Sequence, residues 1–235
     1  MTKRFMLFAI SLIFVATTVS AKTLINSLPY TISTSDSYYL GANLTSSGSG
    51  IIVAANNVSI DFNGYSITGS STGYGVNLET STNVELRNGT ITNFGVGVSD
   101  NEGMNSTRVI NMRIVNNTGT GIALDWHCEV RDCLISGNGS GINVWGCVVQ
   151  GNIVSGNASY AIAGSNSTII NNTVSLNSGL GISGNYSTVK NNAVTANAGG
   201  GIQMSNALVD GNTAHSNSGF NLQCSSCALG TNMAP

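Results

Sequence analysis

Val148–Ile162 reads VVQGNIVSGNASYAI, Thr168–Ile182 reads TIINNTVSLNSGLGI, Thr188–Ile202 reads TVKNNAVTANAGGGI and Leu208–Leu222 reads LVDGNTAHSNSGFNL. The four start twenty residues apart, and a less regular copy, EVRDCLISGNGSGI, precedes them from Glu129. A unit this short cannot bury its own apolar residues, so the copies must stack to make a core. Aligned on the first inward residue, they give a column of Leu86, Val109, Val130, Val149, Ile169, Val189 and Val209. Five places on come Ile91, Ile114, Ile135, Val154, Val174, Val194 and Ala214. Each copy closes on Val98, Ile122, Ile142, Ile162, Ile182, Ile202 or Leu222. Short β-branched runs broken by Gly and Asn are strands with turns between them, and nothing here has helical spacing. Three strands per copy, each pairing in parallel with its counterpart, predict an all-β, single-stranded right-handed parallel β-helix. At about 4.8 Å per rung, roughly nine rungs make a rod near 40 Å long.

The turns are also periodic. Asn152, Asn172, Asn192 and Asn212 form one column, and Asn157, Asn177, Asn197 and Asn217 another. Asn tolerates the left-handed backbone of a sharp corner, and stacked amides can bond along the column. Upstream the rungs lengthen, through IIVAANNVSIDFNGYSITGS from Ile51 and VNLETSTNVELRNGTITNFG from Val76. Residues 22–50 lack the repeat and are expected to cap the first rung, with the coil running through 51–235. No comparable cap is evident after Leu222.

Residues 1–21 read as an export signal. Lys3 and Arg4 precede the apolar run FMLFAISLIFVA, and Val19-Ser20-Ala21 offers a small-residue cleavage site. Export implies a periplasmic or secreted protein, and no stretch of the mature chain is long and apolar enough to span a membrane. Only 8% of residues are charged, and losing Lys3 and Arg4 takes the net charge from −2 to −4. That balance argues against a nucleic-acid partner, which wants a basic surface.

With its N-terminal YYLGANLTSSGSGIIVAANNVSIDFNGYSITG and its V..N.V..N....GI repeats, the chain resembles the right-handed β-helix proteins of the pectin-lyase-like superfamily. The resemblance covers almost all of residues 23–227. It implies fold more than function, because the superfamily spans lyases, hydrolases, epimerases, adhesins and phage spikes.

Cys128 and Cys147 each stand two places before an inward valine, so they share a column on adjacent rungs. That spacing suits a disulfide, as does export, and the bond would contribute about 3 kcal/mol. Cys224 and Cys227 form a C-x-x-C that a local disulfide would hold. Zinc is the alternative, but no second pair or spaced histidine accompanies it. Cys133 occupies a place in the Asn column and is expected to be a buried free thiol.

Sixteen charged residues remain after Ala21, most of them between Glu79 and Asp132. One column holds Glu85, Arg108 and Glu129; another holds Arg87 and Arg131, with Asp132 just beyond. Ladders of opposite charge contribute only about 0.2–1 kcal/mol per pair, so a merely solvated face is the plainest reading. The functional reading notes that this cluster is the chain's one chemical asymmetry, and that arginine forks suit acidic sugars. Beyond the third apolar position lie Glu79, Asp100 or Glu102, and Asp125. Asp125-Trp126-His127 follows, with Trp145 one rung later in the column of Asp125. Indole faces stack on sugar rings, and an imidazole exchanges protons near neutral pH. His215 stands alone and reads as a surface residue.

GIALDWHCEVRDCLISGNGSGINV further resembles the catalytic rung of mannuronan C5-epimerases, in which Asp-Pro-His matches Asp125 and His127. Trp126 replaces the proline, and Ile122 stands where that family has its catalytic tyrosine. The resemblance implies Asp125 and His127 as catalytic candidates; the charged and aromatic face adds Arg131 as a candidate base and Trp126, Trp145, Arg87, Arg108, Glu129 and Asp132 as substrate contacts. It implies no cofactor; calcium is the metal a lyase-type member would need. The expected partner is an acidic polysaccharide, bound and modified by lyase or epimerase chemistry, and the competing expectation is a structural or adhesive β-helix. A groove lined by Asp125, His127, Trp145 and Arg131 would favour the first, and a flat surface the second.

Overall fold

The computed structural model describes residues 22–100 and 106–235; the expected export signal and Glu102 lie outside the described residues. Among these residues there are only strands and turns. Each turn of the coil lays strands on three faces. The first two faces run together into an 18-stranded sheet, and the third is a 10-stranded sheet with one strand per turn. That makes about ten turns of a right-handed parallel β-helix, close to the nine expected.

The inward columns are those the repeat predicts. Val130 pairs with Val149, Val149 with Ile169, Ile169 with Val189 and Val189 with Val209. Ile142, Ile162, Ile182 and Ile202 pair likewise on the third face. All of these side chains are fully buried. Each contributes about 1.5–3 kcal/mol by leaving water, which is why β-branched residues recur at every inward position.

The asparagine columns are real and their amides bond along the column as expected, but the left-handed corner is not theirs. Asn152, Asn172, Asn192 and Asn212 are buried and point inward. The left-handed corner residue is the one before each: Gly151, Asn171, Asn191 and Gly211, at φ 68°, 58°, 55° and 67°. That corner turns the next side chain into the rod, where asparagine satisfies backbone that would otherwise be unpaired. Asn172 Oδ1 accepts the N–H of Asn152 at 2.9 Å and its Nδ2 at 3.0 Å, while Asn172 Nδ2 donates to Val149 O and Asn192 Oδ1. The second column extends to Asn117 and Asn138. Cys133 joins the first as a buried free thiol, its N–H donating to Asn152 Oδ1.

Residues 22–50 hold four short strands in register with the coil: Thr23 pairs with Tyr38, Tyr30 with Ile51, Tyr38 with Ile60 and Leu44 with Ile67. The coil also continues past Leu222. Leu222–Ser225 and Ala228–Leu229 are strands, Asn232 adds a step to the Asn column, and Met233 bridges to Thr213. The expected disulfides are present, Cys128–Cys147 and Cys224–Cys227.

Candidate functional site

The corner after the third face is where the coil departs from its own repeat. Trp145 to Cys147, Ser165 to Ser167 and Asn185 to Ser187 each take two steps; Asp125 to Cys128 takes three. Backbone bonds fix the alignment. Trp126 N–H donates to Trp145 O at 2.6 Å, as Gly146 does to Ser165 O and Tyr186 to Ser205 O. His127 is therefore the extra residue, its N–H donating to Gly146 O at 3.0 Å. Both Trp126 and His127 sit in left-handed backbone, at φ 44° and 58°, a region that bulky side chains enter only at a cost.

This bulge sets two large side chains on the surface. The indoles of Trp126 and Trp145, each 41% exposed, meet edge to face with centroids 6.1 Å apart and planes at 62°. Gly146 makes room for them, since a Cβ there would stand 2.5 Å from the Trp126 ring. The Cys128–Cys147 disulfide fastens the bulged corner to the next rung. Beside the pair, an open groove of about 540 Å³ is lined by Asn83, Ser106, Arg108, His127, Glu129 and Val148, among others.

The structure brings His127, Arg108 and Glu129 to one groove, and Asp125 into register with Trp145. Asp125 donates its N–H to Asp100 Oδ2 at 3.0 Å. Asp100 itself is displaced from its expected outward row. Ser99 pairs with Asn77 and Ala123, so Asp100 follows into the inward column between Leu78 and Leu124, only 9% exposed. Glu79 stays at the corner with φ 47°.

The arginines are held by carboxylates. Arg131 pairs with Glu129 at 3.3 Å and Asp132 at 3.0 Å. Arg108 pairs with Glu85 at 2.9 Å; Arg87 bridges Glu85 at 2.6 Å and Asp61 at 3.1 Å; Lys22 reaches Asp61 at 3.8 Å. Burial by itself would raise the Asp61 carboxyl, but hydrogen bonds from Asn63 N–H, the Asn88 amide and the Arg87 guanidinium hold it below its ordinary value. Arg113, which sequence reasoning passed over, forms no ion pair among the described residues and borders a smaller groove with Asn88 and Asn111. Its signal was plain enough: an outward arginine with no acidic residue opposite, since Thr90 and Leu134 flank it.

Ile122, where the epimerase resemblance places a tyrosine, is fully buried and offers no proton-transfer group. The groove thus presents an imidazole and a guanidinium, with the indole pair outside its lining; of Asp125, His127, Trp145 and Arg131, the four expected to line one groove, only His127 does.

Against known proteins, the family model "Periplasmic copper-binding protein (NosD)" matches residues 125–221. No curated protein matches the chain. Among solved structures, the Dettilon tailspike protein gp208 is similar at 16% identity with a TM-score of 0.72, over 90% of this chain and 53% of that one. The chain thus spans about half the tailspike's length. The A-module of Azotobacter vinelandii mannuronan C-5 epimerase AlgE6 is similar at 15% identity and TM-score 0.62, over 83% and 68% of the two chains. The AlgE4 A-module is similar at 13% and 0.59, over 84% and 76%. At such identities the likeness is one of fold, and it agrees with the coil described above: a right-handed parallel β-helix.

Proposed function

We propose that this chain is an exported polysaccharide-binding β-helix that holds an acidic glycan at the bulged corner. The observation that carries the reading is the groove of His127, Arg108 and Glu129 beside the exposed Trp126–Trp145 pair. A sugar ring lies against an indole, and its carboxylate meets Arg108. Glu85 meets that guanidinium at Nη2, 2.9 Å away, and a guanidinium carries five donors in its fork. Asp125 and His127 are placed as the acid–base pair should the glycan also be modified, and Arg131 holds Glu129 in place. The epimerase modules that share the fold are named for mannuronan, which supports an acidic sugar.

Copper, named in the matching family description, does not fit the donor set. Among the described residues no three His, Cys, Asp or Glu side chains gather as a metal site. Four cysteines are in disulfides, and burial pushes the Cys133 thiol up to about 12, so it stays protonated. Calcium lacks a carboxylate cluster for the same reason.

The competing reading is a stiffening charge ladder, favoured by ion pairs that close on one another within the face. Saturation-transfer NMR with oligomers of alginate, pectate and hyaluronan separates the two. Transfer to at least one of them is expected, reduced about tenfold or more in affinity by Trp145→Ala with Arg108→Ala. No transfer across the panel, or transfer unchanged in the double variant, would leave the structural reading. New unsaturated or inverted uronate signals in the same spectra, absent with His127→Ala, would establish turnover.

A further inference from the structure

Farther along the third face the inward column changes character. It runs Leu124, Val144, Gly164, Gly184, Met204, Cys224, with two glycines where valine or leucine would fill the rod. Gly184, at φ 152°, lies so close to Gly164 that a Cβ would stand 1.9 Å from its carbonyl oxygen. A groove of about 350 Å³ opens here, lined by Ser183, Gly184, Gln203, Ser205, Gln223 and Ser225, with Met204 and Cys224 also in its lining.

Its polar groups are carboxamides and hydroxyls, set beside the apolar Met204 and the disulfide-bonded Cys224. Gln203 Nε2 donates to Gln223 Oε1 at 3.0 Å, which leaves further donors and acceptors of both carboxamides facing outward. Three serine hydroxyls flank them, and no charged residue lines the groove. At its margin Asn185 Oδ1 is buried with no hydrogen-bond partner. Next in the chain stands Tyr186, 61% exposed and at φ 51°, its N–H on Ser205 O. The same corner position is occupied by Gly146, Asn166 and Asn206, residue types that accept left-handed backbone readily. A tyrosine there is strained and exposed, and it does not fill the core.

We infer that this groove is a second carbohydrate subsite, one that takes a neutral sugar through the carboxamide and hydroxyl donors, with the Tyr186 ring as its stacking face. Carboxamides and hydroxyls match the alternating donors and acceptors of a pyranose ring, whereas the absence of lining cations disfavours a uronate. Tyr186 shares its corner column with Trp126, three rungs away, or about 14 Å along the rod. Between them stand only Gly146 and Asn166. A chain lying parallel to the rod reaches both, so the natural ligand carries neutral as well as acidic units; this last step rests on the proposed corner site, and the subsite itself does not.

The test uses isotope-labelled protein and two kinds of probe: neutral tetrasaccharides (cellotetraose, mannotetraose and N-acetylchitotetraose) and a galacturonate tetrasaccharide. At least one neutral probe is expected to shift the side-chain amides of Gln203 and Gln223 and the amide of Gly184. Tyr186→Asn is expected to weaken that binding about fivefold or more while leaving the melting temperature equal or higher, since asparagine suits the corner. The galacturonate probe is expected to move the Trp126 and Trp145 indoles and not the glutamine amides. If no neutral probe moves Gln203 and Gln223, or if Tyr186→Asn binds as well as the parent, the subsite is wrong. If the neutral probes bind while neither galacturonate nor the alginate and hyaluronan oligomers move the indoles, the subsite stands and the acidic corner falls.

Discussion

Replacing Asn172 by alanine tests the account of how the rod is held together. Asn172 is 1% exposed and sits mid-column, with a neighbour above and below. Its loss leaves two buried donors without their partner, the N–H of Asn152 and one amide hydrogen of Asn152, and takes one bond from Val149 O. Asn192 Oδ1 keeps the backbone N–H of residue 172. A buried polar group left unpaired costs about 1–3 kcal/mol, so two would cost roughly 2–6 kcal/mol, less where water enters the space vacated. Against a typical total of about 5–15 kcal/mol, that is a large fraction. At roughly 2–4 °C per kcal/mol for a chain of this size, the melting temperature should fall by on the order of 10 °C or more. The control is the adjacent Asn171→Ala, which is exposed and left-handed at φ 58°, and should cost only about 1 kcal/mol of backbone strain. Thermal and urea melts followed by circular dichroism compare the two. Equal destabilisation, or a loss below about 1 kcal/mol for Asn172→Ala, would refute the view that the column satisfies the backbone and is more than turn chemistry.

Three other outcomes are expected. Because the folded Asp61 carboxyl is held below its ordinary value, its contribution is complete at neutral pH and is lost as pH falls through the ordinary carboxylate range towards the folded value. The melting difference between parent and Asp61→Asn should therefore be present at pH 7 and shrink in acid, and a difference that grows in acid would contradict the assigned hydrogen bonds. Cys128→Ser with Cys147→Ser should cost roughly 3 kcal/mol, from a bridge closing 19 residues, with serine well accommodated because Ser167 and Ser187 already occupy that column; urea melts matching the parent's would show the bridge to be inert. Cys133, whose thiol is pushed up to about 12 by burial, should stay unlabelled by iodoacetamide at pH 9 until the chain unfolds, while Cys133→Asn should raise stability by about 1 kcal/mol by prolonging the Asn column, which a lower urea midpoint would disprove.

Much of this was legible because the repeat turns sequence into coordinates. Once the copies are aligned on their first inward residue, Val149, Ile169, Val189 and Val209 stack at a spacing of twenty, and the same alignment stacks Glu85, Arg108 and Glu129 across the longer rungs upstream. Cys128 and Cys147 followed from the same arithmetic. Reading failed where a column alone does not say which way a residue faces. The asparagines were taken for the corner itself, yet the corner is one residue earlier, and its left-handed twist is what points the asparagine inward. Asp100 was counted with Glu79 and Asp125, but parallel register places it one step off, in the apolar column. The third-face groove carried a signal that went unread: Gly164 and Gly184 fall where Leu124 and Val144 set the pattern of a filled core.

Departure from the repeat is the stronger guide to function in such a rod, but a departure must be tested against its neighbours. Bulky residues in left-handed corners illustrate why. Trp126, His127, Tyr186 and Leu176 all take that backbone, and each gives up stability that glycine or asparagine would keep. Leu176 is 68% exposed and shares its corner with Gly156, Ala196 and Ser216, yet none of the described grooves is lined by it. Strain alone therefore marks nothing. What separates the other three is that they follow the same face and carry rings: His127 lines one groove, Trp126 lies against Gly146 of that lining, and the N–H of Tyr186 is held by Ser205 of the other. A rod whose interior is filled by stacked apolar side chains and asparagine columns reads a ligand by what projects at its surface and corners. Holding an aromatic side chain there requires a conformation that the chain elsewhere gives to glycine and asparagine. The same backbone that turns an asparagine into the core at one corner thus displays an indole, an imidazole or a phenol at another, and the difference lies in which residue occupies the left-handed step.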